Sequence, residues 1–253
     1  MLGKKISAIY SFPKNIITKL FGHLDINIRQ KWNILFPILK QNIGNKQLSL
    51  LDAGTGEGEW MFELSLRYPN LTCTGVDFSE KAINTAKKNA SKLGLNSTEI
   101  YCNDFLKYTP NKEFDIILSV ASYHYLMEIN KGDELFSRTL DWLKPEGKLI
   151  CFIPRTASEV TISGKYKPLP KHSVASYKDI EGVCNKAGFV IEKLTPCINS
   201  KAILAKQMYA SLGGIKKLIA YPKMLQLSNK ANLLFNDINT TSYAWVLIAS
   251  KPK

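Results

Sequence analysis

The chain has 253 residues, of which 45% are hydrophobic and 22% are charged, a composition typical of folded globular proteins that excludes disordered and fibrous classes. No run of about 20 apolar residues occurs, which excludes a membrane-spanning helix. The five cysteines lack CxxC or Cys/His spacing, so we expect no disulfides and no bound metal. Because the N-terminus also lacks the apolar run of a secretory signal, we expect a reducing, cytoplasmic location.

The net charge of +13 is spread unevenly along the chain. Residues 1–47 carry 8 basic and 1 acidic residue, residues 48–150 carry 11 and 15, and residues 151–253 carry 15 and 5. Basic flanks around an acidic centre favour an anionic substrate or contact with an anionic surface. Only four of the 34 basic residues are arginines, so a general bias towards lysine explains the same excess equally well.

Apolar runs and helical periods alternate along the middle of the chain. The pattern predicts strands at 48–52, 71–77, 99–102, 114–120 and 148–153, with helices after the first two, a helix at 133–143 and a turn at 145–147. A capping box at Ser176 predicts a helix that ends before Gly188, followed by extended segments at 189–191 and 243–249. Short strands joined by helices predict an α/β fold with a parallel sheet.

Two segments fall outside this alternation. Residues 1–46 form a predicted N-terminal helical arm, and residues 196–239 form a predicted helical insertion within a domain that spans residues 47–253. We interpret the arm and the insertion as a lid over the functional site, since both flank the alternating part of the chain.

A glycine-rich segment, Asp52-Ala53-Gly54-Thr55-Gly56-Glu57-Gly58, joins the first predicted strand to its helix. Glycines there permit a tight turn and let a ligand approach the backbone at a helix N-terminus. The dinucleotide fingerprint GxGxxG requires a glycine where this chain has Glu59, and no Walker lysine follows. The acidic Asp52 suits a cationic ligand better than a pyrophosphate.

Polar residues also follow the second and third predicted strands. Asp77 ends the second strand, 19 residues after Gly58, where a carboxylate can accept hydrogen bonds from both hydroxyls of a ribose. Phe78 can cover an adenine ring, and a carboxylate or amide of Asn103-Asp104-Phe105 can accept a hydrogen bond from the adenine amino group. Each residue alone also fits a cap, a turn or the core, but their order and spacing favour a nucleoside site.

Together, the segments 50–58, 75–79, 103–105, 114–117 and 143–147 resemble the successive motifs of class I S-adenosylmethionine-dependent methyltransferases. The resemblance covers residues 48–153 well and implies a Rossmann-like, doubly wound seven-stranded sheet with its last strand antiparallel, plus a helical cap. It implies S-adenosylmethionine as the cofactor and the small-molecule branch, similar to ubiquinone-biosynthesis and natural-product methyltransferases. The implied cofactor contacts are Asp52, Ala53, Gly54, Thr55 and Gly56 at the methionine moiety, Asp77 at the ribose, Phe78, Asn103, Asp104 and Phe105 at the adenine, and Ser119, Val120 and Ala121 on the opposite side.

The residues after the fourth strand are candidates for the acceptor site. Methyl transfer depends on alignment and on exclusion of water, and a base is optional. In the resembling family a histidine often faces the substrate at the position of His124, which makes it our first candidate for a general base; a histidine that only packs at the pocket wall is the alternative. Tyr123 and Tyr125 flank it and are candidates for substrate binding.

The methyl acceptor is less well defined than the cofactor. No Asp/Asn-Pro-Pro-Tyr motif follows the fourth strand, which argues against nucleic acids and proteins as substrates. A small molecule is therefore favoured, and the basic flanks suggest an acidic one. A lipid-like substrate with peripheral membrane contact is one alternative, because the first 24 residues combine four lysines with apolar side chains and no acid. A non-catalytic RNA-binding protein of the same fold is another, given the net charge. The methylated atom and the oligomeric state stay open.

Overall fold

A computed structural model of the chain describes residues 26–44, 46–95, 97–128, 130–154, 159–160, 166–167, 175–199, 219 and 242–253. The strands among them are β1 (Leu48–Ala53), β2 (Leu71–Asp77), β3 (Glu99–Cys102), β4 (Phe114–Val120), β5 (Leu143–Pro154), β6 (Glu159–Val160), β7 (Tyr166–Lys167), β8 (Val190–Asn199) and β9 (Ser242–Ser250). The helices are α1 (Ile26–Ile43), α2 (Glu59–Arg67), α3 (Glu80–Leu93), α4 (Tyr123–Glu128), α5 (Gly132–Trp142) and α6 (Tyr177–Ala187).

Seven strands form one sheet in the order β3-β2-β1-β4-β5-β9-β8, while β6 and β7 pair separately. Neighbouring strands are parallel except at β9, which is antiparallel to both β5 and β8. The chain runs outward from β1 to β3 and returns to β4 beside β1, so the strand order reverses between β1 and β4. In open α/β sheets such a reversal opens a crevice at the carboxyl ends of the strands, where ligands bind. The predicted fold class is confirmed.

The sheet has an apolar layer on each face. Leu50 of β1 packs in one layer with residues of α1, α2 and α3, and the next residue, Leu51, packs in the other with residues of α4, α5 and α6. Successive side chains of a strand point to opposite faces, so a strand covered on both sides is apolar at consecutive positions, as β1 is. This burial fixes the strand ends that carry the polar residues of the site.

Local sequence signals set the helix boundaries. Ser79 caps α3 by accepting a hydrogen bond from the amide of Ala82. Ser176 and Asp179 form the predicted capping box of α6, and that helix ends at Ala187, before Gly188, as predicted. These caps satisfy amides that a helix start otherwise leaves unpaired.

The structure differs from the sequence prediction at two strands. The predicted turn at 145–147 lies inside β5, which begins at Leu143; Glu146 has φ +62° and the pairing register with β4 shifts nearby, so the strand starts irregularly instead of after a turn. Strand β8 continues to Asn199, because Pro196 and Cys197 pair with Trp245 and Ala244 of β9. Residues 196–199 therefore belong to the sheet and not to the insertion predicted to start at 196.

The predicted arm and insertion are described only in part. Helix α1 accounts for residues 26–43 of the arm, and it lies against β8. Residues 1–25, and residues 200–241 apart from Ile219, lie outside the described residues. Among the helices that the structure describes, none is long and apolar enough to cross a membrane.

Candidate functional site

The segment between β1 and α2 is a loop whose glycines are required by its geometry. Gly54, Gly56 and Gly58 all have positive φ values, of +86°, +54° and +87°, a region that side chains disfavour. The amides of Gly54 and Thr55 donate to the carbonyl of Val76 at 2.8 and 3.0 Å, which ties the loop to the end of β2. A Cβ added at Gly54 would lie 2.3 Å from the Cβ of Ser122, so the loop packs directly on the segment after β4.

Asp52 lies under this loop and is only 1% exposed. Its Oδ2 accepts a hydrogen bond from the hydroxyl of Thr55 at 2.9 Å, whereas its Oδ1 is buried without a hydrogen-bond partner among the described residues. Burial raises the pKa of Asp52 to about 7, and the hydrogen bond from Thr55 opposes the rise. The predicted contact of Asp52 with a cofactor stays a prediction, and Oδ1 is the atom left to make it.

Asp77 stands at the rim of the crevice, where β2 ends. Its Oδ2 accepts from the amide of Gly56 and its Oδ1 from the amide of Ser79, both at 2.9 Å. Each carboxylate oxygen retains a second lone pair, so Asp77 presents two fixed acceptors. Phe78 beside it is 76% exposed, which leaves its ring free to cover a flat ligand.

The segment after β3 forms the neighbouring part of the rim. The amide of Asn103 donates to the carbonyl of Asp77 at 2.9 Å, which joins the ends of β2 and β3. Asp104 Oδ1 accepts from the amide of Leu106 at 3.0 Å, and Phe105 is buried. Asp104 is therefore held with its carboxylate fixed, next to the ring of Phe105.

These strand ends enclose a cavity of about 320 Å³. Its lining residues are Gly54, Asp77, Phe78, Asp104, Phe105, Ala121, Ser122 and Leu126. Six of them are among the predicted cofactor contacts. The other predicted contacts do not line the cavity: Asp52, Ala53, Thr55, Gly56, Asn103, Ser119 and Val120.

Ser122 and Leu126 are lining residues that the sequence prediction missed. Ser122 Oγ donates to the carbonyl of Ala53 at 2.6 Å and lies 2.6 Å from the hydroxyl of Ser119. Since the proton of Ser122 points to Ala53, Ser119 donates to Ser122. Ser122 therefore forms part of the cavity wall, and Ser119 supports it from behind. The sequence gives one indication of this role, because Ser122 directly follows the predicted segment 119–121.

Tyr123 occupies a different place from the predicted one. Its side chain is 1% exposed and packs edge-on against Phe136, with ring centroids 5.7 Å apart. Its hydroxyl lies 2.8 Å from that of Thr139 in α5. The prediction that Tyr123 binds the substrate is wrong, because this side chain completes the core instead.

His124 and Tyr125 follow in the first turn of α4. Their side chains lie outside what the structure describes, so their predicted roles stay predictions. Among the described residues, no group of acidic, histidine and cysteine side chains could hold a metal ion, and all five cysteines are free thiols.

The cavity fits the cofactor that the motifs imply. Asp77 offers two acceptors to a ribose, Asp104 and the exposed Phe78 suit an adenine, and the backbone of Gly54 lines the same cavity. The unpartnered Oδ1 of Asp52 suits the ammonium of a methionine moiety.

Comparisons with known proteins agree with this geometry. The model of a methyltransferase domain family, Methyltransf_31, matches residues 44–202. An S-adenosylmethionine-dependent methyltransferase from Clostridium acetobutylicum has a similar fold, with a TM-score of 0.61 and 14% identity over 94% of this chain and 97% of that one. Phosphoethanolamine N-methyltransferase 2 from Haemonchus contortus has a TM-score of 0.59 and 22% identity over 88% of this chain and 53% of that one.

Similarity in sequence also extends to curated proteins. Ribosomal RNA small subunit methyltransferase G of Streptococcus pneumoniae is 26% identical over 149 residues, which are 59% of this chain and 62% of that protein. Release factor glutamine methyltransferase of Flavobacterium psychrophilum is 38% identical over 89 residues, or 34% and 31% of the two chains. The chain spans less than two thirds of the length of these relatives.

The strand order, the glycine loop and the two rim carboxylates define a class I S-adenosylmethionine-dependent methyltransferase fold. The chain belongs to the methyltransferase domain family whose model matches residues 44–202. The family and the cofactor predicted from the motifs are thereby confirmed.

Proposed function

We propose that the protein transfers the methyl group of S-adenosylmethionine to a small-molecule acceptor. The observation that carries the proposal is the cavity in which the Gly54 loop meets the carboxylates of Asp77 and Asp104. Family membership supports methyl transfer as the reaction. The segment Ser119-Val120-Ala121-Ser122 at the end of β4, in place of Asp/Asn-Pro-Pro-Tyr, supports a small molecule over a nucleic-acid or protein amino group.

When bound, the cofactor supplies an electrophilic methyl group on a positively charged sulfur. The chain contributes binding and orientation: Asp77 is fixed by two backbone amides, and Ser122 holds the end of β1 through the carbonyl of Ala53. Fixed groups of this kind need no rearrangement when a ligand arrives, which favours alignment of the reacting atoms.

His124 is our candidate for the general base. It lies in the sequence between two residues that line the cavity, Ser122 and Leu126. A histidine with an ordinary pKa near 6.5 accepts a proton from a hydroxyl or amine at neutral pH. His124→Gln is expected to lower the turnover rate while leaving cofactor affinity unchanged, because the histidine is not proposed to contact the cofactor.

The charge of the flanks supports an acidic acceptor. Residues 1–47 carry a net charge of +7 and residues 151–253 carry +10, from the counts given above. Long-range attraction of this kind raises the local concentration of anions. Phosphoethanolamine N-methyltransferase 2, determined with phosphomonomethylethanolamine, is an example of this fold with a small phosphate-bearing ligand.

An RNA acceptor is the second candidate. The match to ribosomal RNA small subunit methyltransferase G favours it, and the net charge of +13 suits a polyanion. The remaining alternative, a lipid-like acceptor at a membrane surface, depends on residues 1–24, which lie outside the described residues.

Transfer of a radiolabelled methyl group tests these candidates together. Purified protein is incubated with methyl-labelled S-adenosylmethionine and either a small-metabolite extract or total RNA, with Asp77→Ala as the control for cofactor binding. We expect label in the metabolite fraction that disappears in Asp77→Ala. Label confined to RNA would replace the small-molecule proposal by the second candidate, and no transfer by a protein that binds the cofactor would contradict both.

A further inference from the structure

Three buried side-chain polar atoms have no hydrogen-bond partner among the described residues: Trp32 Nε1, Asp52 Oδ1 and Arg138 Nε. Buried donors and acceptors are normally paired, so each such atom calls for an explanation. Arg138 is explained in part, because its Nη2 donates to the carbonyl of Tyr108 at 3.0 Å. Asp52 Oδ1 suits the ammonium of the cofactor, which leaves Trp32 without an account; both residues lie beside α2.

Trp32 belongs to α1 and is 3% exposed. Its ring stacks on that of Phe36 with centroids 4.6 Å apart and packs at a tilt against that of Trp60 with centroids 4.3 Å apart. Trp60 is the second residue of α2, directly after the glycine loop. The indole of Trp32 is thus held beside the first turn of α2, with its donor unused.

That first turn is suited to an anion. The residue that caps α2 is Gly58, which has no side chain to accept from the first amides of the helix, although the carboxylate of Asp52 accepts from one of them, the amide of Met61. Amides at a helix N-terminus and the helix dipole together favour a negatively charged group. The unused indole N–H of Trp32 is a second donor beside the same turn.

Asp52 also lies beside this turn. Its carboxylate accepts from Thr55 in the loop and from the amide of Met61, the third residue of α2. A buried acceptor and a buried donor, Asp52 Oδ1 and Trp32 Nε1, therefore belong to residues that contact the same helix start. An amino-acid zwitterion presents the complementary pair, an ammonium donor and a carboxylate acceptor.

We propose that the indole N–H of Trp32 donates a hydrogen bond to the carboxylate of the cofactor's methionine moiety, while Asp52 accepts from its ammonium. The inference rests on the proposed function, because it takes the S-adenosyl cofactor as the ligand. Helix α1 then binds the cofactor directly. It belongs to the N-terminal arm, which contains no family motif. Trp32 is then a positioning residue for the cofactor.

Two ligands separate this role from a purely structural one. S-Adenosylhomocysteine carries the amino-acid group, whereas 5′-methylthioadenosine has the same nucleoside without it. We expect Trp32→Phe, measured by calorimetry, to weaken S-adenosylhomocysteine binding about tenfold or more, as for a lost hydrogen bond to a charged group. Binding of 5′-methylthioadenosine should change less than about twofold, because the nucleoside contacts are untouched.

Phe36→Leu is the matched control. It disturbs the same aromatic stack and leaves the indole N–H in place, so we expect the ratio of the two affinities to stay at the wild-type value. An unchanged affinity for S-adenosylhomocysteine in Trp32→Phe, or an equal loss for both ligands, would overturn the proposal. Failure of the wild-type protein to bind either ligand would contradict the proposed function instead.

A measurement on the wild-type protein covers the case in which Trp32→Phe does not fold. In ¹⁵N-labelled protein, the indole N–H resonance of Trp32 should move when S-adenosylhomocysteine is added and keep its position with 5′-methylthioadenosine. If the indole resonance has the same position with both ligands, the proposal is overturned, and no substitution is needed for this test.

Discussion

Replacing Gly54 by alanine tests how the loop packs against the wall of the cavity. The added Cβ would lie 2.3 Å from the Cβ and 2.5 Å from the Oγ of Ser122, closer than such atoms approach, and φ at this position is +86°. The backbone strain costs about 1–3 kcal/mol and relief of the clash about as much again. We therefore expect the free energy of unfolding of Gly54→Ala to fall by about 2–6 kcal/mol.

Gly56→Ala is the matched control for the backbone contribution. Gly56 also has a positive φ, of +54°, but an added Cβ there would meet no atom within 4 Å. Its expected loss is about 1–2 kcal/mol, from the left-handed conformation alone. The two losses are compared by denaturant unfolding followed by tryptophan fluorescence, with calorimetric binding of S-adenosylhomocysteine measured on the same samples.

A double-mutant cycle isolates the contact itself. Ser122→Gly removes the Cβ and Oγ that the new methyl would meet, so in the Gly54→Ala background it should restore the steric part of the loss. The packing argument is refuted if Gly54→Ala and Gly56→Ala lose equal amounts of unfolding free energy. It is also refuted if the cycle shows no coupling between positions 54 and 122.

Three further substitutions address single residues of the site. In the ligand-free protein Asp52 has a pKa of about 7 against an ordinary 3.8, so the folded state holds more protons than the unfolded state between these values. This group therefore lowers the free energy of unfolding by about 4 kcal/mol as the pH rises through this window, and the decrease levels off above it. Asp52→Asn should lack this decrease, which is measured as the difference between the wild type and the variant in free energy of unfolding plotted against pH. Tyr123→Phe removes the hydroxyl bonded to Thr139 and should cost about 1 kcal/mol of stability with unchanged cofactor affinity; unchanged stability would contradict its place in the core. Phe78→Ala should leave stability unchanged, since the ring is 76% exposed, and weaken S-adenosylhomocysteine binding roughly three- to tenfold if the ring covers the adenine.

Sequence reasoning located the strand ends because local signals mark them. Strands β2, β3 and β4 have the predicted limits. Polar residues mark the first two ends, at Asp77 and Asn103, whereas β4 stops before Ala121, whose φ of +59° leaves the extended region. The start of β5 was not predictable from its Pro-Glu-Gly sequence, because the left-handed Glu146 and the register shift depend on pairing with β4.

The site was predicted less completely than the fold, for reasons of tertiary packing. The hydrogen bond from Ser122 to Ala53 joins residues 69 positions apart, and nothing near Ser122 in the sequence announces it. Tyr123 was placed in the acceptor site because it precedes His124, but its direction is set by Phe136 and Thr139 of another helix. Trp32 lies outside every family motif, so only its unpaired indole in the folded structure drew attention to it.

The central claim is that the cavity beside Gly54 and Asp77 binds the S-adenosyl cofactor. Calorimetric titration of the wild-type protein and of Asp77→Ala with S-adenosylhomocysteine, with NADH as the control ligand, tests it most directly. The account predicts micromolar binding of S-adenosylhomocysteine, no binding of NADH, and a loss of at least about tenfold in affinity for Asp77→Ala, because two fixed acceptors for the ribose are removed. Binding of NADH alone, or equal affinity of the two proteins for S-adenosylhomocysteine, would contradict it.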